Sequence, residues 1–234
     1  MAEFRPGGFK ILPPVVKNII IICALVFIAQ QVSLRAFHYP LAYLFALHYW
    51  QSPLFKVYQI ITSMFMHAGF WHIAMNMFAL WMFGYTVENV WGSKRFLIFY
   101  MVCGIGAAIC FLGAQTFQFH HLFQEYSNGQ LPVQVIEQFL AEPMLGASGA
   151  IFGVLVAFGV MFPNSYVYFY FLVPIKTKWF VLGYIAIELY SGIKDNISAV
   201  PGDNIAHFAH LGGALVGFIL AKYWMSKGYG GKEY

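Results

Sequence analysis

The chain is a succession of long apolar runs separated by short polar connections. A membrane-spanning helix needs about 20 predominantly apolar residues. Six runs approach or reach that length: Val15 to Val32, Met64 to Tyr85, Phe96 to Phe117, Pro143 to Met161, Trp179 to Ser191 and Ile205 to Trp224. The fifth is short. An apolar stretch from Tyr166 to Val173 precedes it, but Pro174 calls for a break between the two. The pattern predicts an all-α, polytopic bundle. Residues 1–14 read as a cytoplasmic tail, 15–224 as the six-helix membrane domain and 225–234 as a second cytoplasmic tail. The stretch from Met1 to Lys17 is polar and basic. It lacks the short apolar core and cleavage site of a signal peptide, so the first span is expected to act as its own insertion signal.

Composition supports a lipid-facing exterior. Hydrophobic residues make up 60% of the chain and charged residues 9%, where a soluble domain carries about 25% charged. Mean hydropathy is +0.67. The net charge of +4 is scattered, which excludes the clustered basic face that nucleic-acid binding requires. With the N-terminus inside, Arg35, Lys56 and Lys194 fall outside and the other ten of the 13 Lys and Arg fall inside. That asymmetry predicts six spans with both termini cytoplasmic. Cys23, Cys103 and Cys110 lie in apolar runs and form no disulfide or metal-thiolate pattern. No internal repeat supports an inverted-repeat transporter.

Two outer loops stand out. In the first, about Ser33 to Ser63, the segment Pro40 to Trp50 is too short to span and too apolar for water. It is expected at the interface, with Tyr43, Tyr49 and Trp50 at headgroup depth; packing against the bundle is compatible with that. The second, about Gln118 to Glu142, carries Glu125, Glu137 and Glu142 and no basic residue.

Polar groups inside a bilayer are costly and are functional candidates by default. His67, His72 and Asn76 lie on the second span. At about 100° per residue, His72 and Asn76 share a face, and His67 points elsewhere. Gly146, Ser148, Gly149 and Gly153 lie on the fourth, and His207, His210, Gly213 and Gly217 on the sixth. A membrane serine more often bonds back to its own helix than does chemistry. Here glycines flank it, and small residues four apart on two spans let their backbones approach. Such contact would bring Ser148 beside a histidine. Serine needs an adjacent base, which histidine can supply, and a tetrahedral intermediate needs preorganised donors. Glu188 is the only carboxylate within a span, and nothing in the sequence links it to His210. The unit read from these residues is a Ser-His dyad, not a triad.

The motifs His67-x₄-His72-x₃-Asn76, Gly146-x-Ser148-Gly149 and Ala209-His210-x₂-Gly213-x₃-Gly217, in this order, resemble the signature of rhomboid intramembrane serine proteases. The resemblance implies Ser148 as nucleophile, His210 as general base, and His72, Asn76 and the Ser148 backbone as the oxyanion site. Gly146 would keep the approach open. Gly149, His67, Phe152, Gly213 and Gly217 would support these, and Glu88 resembles a structural position. His207 is the competing base, displaced three residues from the pattern. Two departures are visible. Tyr58-Gln59 stands where many members carry Trp-Arg, and Phe152 stands where a tyrosine is common. The implied substrates are transmembrane proteins in the bilayer, with no cofactor and no metal. The expected location is a bacterial inner membrane. Two rival readings are a metal site built from His67, His72, His207 and His210, and a non-catalytic transporter or binding relative.

Overall fold

The computed structural model describes residues 10–169, 172–195 and 204–229. Most of the predicted tail 1–14 and the end of 225–234 therefore lie outside the described residues. α1 (Pro14–Phe37) is followed by the one-turn helices α2 (Ala42–Phe45) and α3 (Gln59–Thr62). Then come α4 (Phe70–Trp91), α5 (Ser93–Ser127), α6 (Val133–Ala141) and α7 (Ser148–Met161). A β-hairpin precedes α8 (Thr177–Asp195) and α9 (Asn204–Ser226).

α7 is the axis of the molecule. Ten of its 14 residues are buried, so it is apolar on every side, as a helix enclosed by other helices must be. It packs against α4, α5, α8 and α9. α7 and α9 meet through glycines. A β-carbon on Gly217 would lie 2.6 Å from Gly153 Cα, and one on Gly213 would overlap the Gly149 carbonyl oxygen. These positions accept no side chain without moving a helix axis.

The outer helices carry the lipid-facing surface. α1, α5 and the segment Ala206–Ser226 of α9 are long and apolar enough to cross a membrane by length and composition. α4 and α8 do not meet that measure and α7 is shorter, so three of the six predicted spans meet it.

One buried carboxylate joins three helix ends. Glu88, near the end of α4, accepts hydrogen bonds from the Val15 and Val16 N–H groups at 2.9 and 2.8 Å, and from Ser93 Oγ at 2.6 Å. Helix starts leave N–H groups without intrahelical partners. An anion at the positive end of a helix satisfies them and is itself stabilised.

Several sequence expectations are corrected. The all-α reading misses a two-stranded antiparallel hairpin, Tyr166–Phe169 with Val173–Lys176, that pairs Tyr168 with Pro174. The expected second outer loop is largely helical, because α5 runs unbroken to Ser127 and α6 follows. The second span begins at Phe70, not Met64, and the fourth begins at Ser148, not Pro143.

The first outer loop is packed rather than floating. Ala46, Leu47, His48 and Tyr49 are buried, and Leu47 exchanges two 2.8 Å backbone hydrogen bonds with Met144. Tyr49 is therefore packed against protein, whereas Tyr43 and Trp50 are exposed. Burial lowers the His48 pKa below the ordinary imidazole range, because the charged form loses hydration there.

Candidate active site

Ser148 is the first residue of α7. The chain reaches it through Gly146, whose φ of +132° is a conformation that glycine adopts readily and other residues rarely do. The Gly146 N–H donates to Ser63 O at 2.9 Å, which fixes this approach segment. At the N-terminus of α7 the leading N–H groups have no carbonyl four residues back within the helix. Ser148 thus offers a hydroxyl and a backbone donor from one position.

α9 brings the imidazole. His210 Nε2 lies 2.8 Å from Ser148 Oγ. The His210 ring stacks on Phe152, with centroids 4.4 Å apart and planes within 5°. Phe152 keeps the ring contact that a tyrosine would make at that position.

The other nitrogen of the same imidazole meets a carboxylate. His210 Nδ1 lies 3.0 Å from Glu188 Oε2, and His207 Nδ1 lies 2.6 Å from the same oxygen. The sequence reading linked no carboxylate to His210; the structure places Glu188 beside it. The sequence held only part of the signal. A carboxylate on an apolar helix demands a partner, and two histidines three apart on α9 share the face that α8 packs against. The same three residues bring ligand atoms within 4.8 Å of one another. Of the four histidines His67, His72, His207 and His210, only the last two belong to this group among the described residues.

His72 projects from the first turn of α4. The Ala68 N–H donates to its Nδ1 at 3.3 Å, so the proton sits on Nε2 and that nitrogen is a donor. The empty β-carbon position of Gly146 lies 2.9 Å from His72 Nε2 and 3.6 Å from Ser148 Oγ. His72, Gly146, Ser148, Gly149 and His210 line one cavity of about 150 Å³. A cleft of about 340 Å³ adjoins it and shares His72, Met144, Leu145 and Ala206.

Two predicted residues stand apart from this cavity. Asn76 is buried, and its amide donates to the His72 carbonyl at 2.8 Å, one turn back. His67 is buried before α4 begins. Its ring contacts His72 edge-on, with centroids 5.2 Å apart. The divergence expected for two residues of one helix fails because His67 is not in the helix. Gln59, standing where an arginine is common, is fully buried. Its amide donates to the Leu44 and Leu54 carbonyls at 3.1 and 2.9 Å and accepts from the Lys56 N–H at 3.0 Å. A neutral side chain thus holds the first outer loop in place.

Comparison with known proteins points to one family. The Rhomboid domain family matches residues 54–227. Rhomboid protein 1, mitochondrial, of Saccharomyces cerevisiae is 30% identical over 171 residues, covering 72% of this chain and 42% of that protein. Rhomboid protease GluP of Bacillus subtilis is 33% identical over 165 residues, covering 70% of this chain and 25% of that protein. Rhomboid protease AarA of Providencia stuartii is 26% identical over 183 residues, covering 74% and 55%. The chain spans about half or less of the length of these relatives. They come from mitochondria and from bacteria, so they do not support the bacterial inner membrane over an organelle membrane. The match across most of the chain, on an apolar helical bundle, makes it an integral membrane protein of the rhomboid family.

Proposed function

We propose that the chain is an intramembrane serine endopeptidase that cuts transmembrane segments near their outer ends. The observation that carries this reading is the 2.8 Å contact between Ser148 Oγ and His210 Nε2. Ser148 attacks the carbonyl carbon while His210 takes its proton, and the proton later passes to the leaving amine. The His72 Nε2–H and the Ser148 N–H stabilise the oxyanion. Asn76 supports His72 through the carbonyl it caps. The glycine at 146 leaves room for the reacting carbonyl, and the adjoining cleft admits the extended substrate and water. The segment to be cut must unwind locally, since an intact helix keeps its carbonyls bonded. Two of the relatives are named proteases, which supports the same reading.

The test uses purified protein in detergent or vesicles, a reporter transmembrane segment and a fluorophosphonate probe. Wild type is expected to cleave the reporter and to be labelled at Ser148. Ser148→Ala and His210→Ala should each abolish cleavage while the thermal unfolding curve is kept. Undiminished cleavage by Ser148→Ala would overturn the assignment.

A further inference from the structure

We infer that Glu188 is a positioning residue of the reaction, holding His210 in the tautomer and orientation that Ser148 requires, with His207 steadying the same carboxylate. The inference rests on the proposed protease reading and extends its two-residue unit to a relay of four groups.

The argument begins with burial. Glu188 is 7% exposed, on a helix whose neighbouring Ile187 and Leu189 face outward. A buried carboxylate needs partners with good geometry. Its Oε2 has two, His207 Nδ1 at 2.6 Å and His210 Nδ1 at 3.0 Å. An ionised carboxylate only accepts, so a bonded imidazole nitrogen must donate. The proton of His210 is thereby placed on Nδ1. Its Nε2 keeps a lone pair, and that nitrogen faces Ser148 Oγ at 2.8 Å. This is the tautomer a general base needs; the opposite one would present an N–H to the hydroxyl and could not take its proton.

Orientation is set from two directions. Phe152 stacked at 4.4 Å fixes the plane of the ring. The bond to Glu188 fixes its rotation within that plane. During attack the Ser148 proton moves to Nε2 as the Oγ–carbon bond forms, and the carbonyl electron pair moves to its oxygen. His210 becomes an imidazolium, with the Glu188 anion 3.0 Å from its far nitrogen. The proton on Nδ1 stays there, so the carboxylate stabilises charge without being protonated. His207, three residues before His210 on α9, binds the same oxygen and limits the swing of a side chain that has three rotatable bonds.

The experiment compares wild type, Glu188→Gln and Glu188→Asp in reporter cleavage and in the rate of fluorophosphonate labelling. Glu188→Gln keeps size and removes charge. Its kcat and labelling rate are expected to fall together, by up to about 10⁴-fold, the loss seen when a serine-protease carboxylate is neutralised. KM is expected to hold, since the carboxylate does not touch substrate. Glu188→Asp keeps the charge but shortens the reach, so its kcat should fall less, again with KM unchanged. Wild-type turnover in Glu188→Gln, or a raised KM with unchanged kcat in either variant, would overturn the inference while leaving the protease reading intact. Wild-type protein that neither cleaves nor labels would overturn both. Activity lost to a chelator and restored by zinc would replace the positioning role with a metal centre at the same three residues.

Discussion

A single missing methyl group decides whether the cavity can admit a reacting carbonyl. The β-carbon that Gly146 lacks would stand 2.9 Å from His72 Nε2, on a backbone whose positive φ costs other residues about 1–3 kcal/mol. Gly146→Ala is therefore expected to fold and to lose most fluorophosphonate labelling of Ser148; labelling at the wild-type rate would show that the pocket lies elsewhere. His72→Ala removes a donor and should lower kcat by about 10²–10³, read in the reporter assay. Gln59→Ala strands part-buried carbonyls of the first loop at up to about 1–3 kcal/mol, which should lower the unfolding temperature. Ser148, His72 and His210 were visible in the sequence because polar groups are conspicuous among apolar ones. The part played by Glu188 was not, because it comes from another helix and its pairing depends on how two axes lie. Gln59 was equally opaque: nothing in a dipeptide shows that its amide reaches carbonyls five and fifteen residues away.

Helix against helix, the decisive contact is that of α7 with α9. Gly213→Val or Gly217→Leu should push the axes apart and separate Ser148 from His210, with loss of labelling as well as a lower unfolding temperature. Retained labelling would show that the two helices are held together by something other than this close approach. Spaced glycines made the contact readable in advance. Element boundaries were less readable, because an apolar run does not distinguish extended chain entering a helix from the helix itself. Residues 64–69, apolar but for His67, and 143–147 lie outside α4 and α7. That distinction places Ser148 on an open helix end and turns His67 toward His72. Glu88→Gln weakens charged hydrogen bonds worth about 1.5–3 kcal/mol each. It should lower the unfolding temperature while leaving the cavity residues where they are, so that KM is kept.

Viewed whole, the molecule puts large apolar side chains on its outside and gathers the polar groups of the site within. Ile21, Leu25 and Ile28 on α1, and Leu215 and Ile219 on α9, are all exposed. An alkaline carbonate wash should leave the protein in the membrane pellet, and release into the supernatant would contradict the lipid-facing assignment. Composition alone foretold this exterior; it did not foretell the hairpin before α8, where alternating exposure is too short to read. The anchoring of α1 sets a condition on assembly. Its opening turn depends on an acid 73 residues downstream, so the start of α1 gains its carboxylate partner only once α4 has packed beside it. The amino end of α1 is thus held by the corner between α4 and α5 rather than by neighbours in its own sequence.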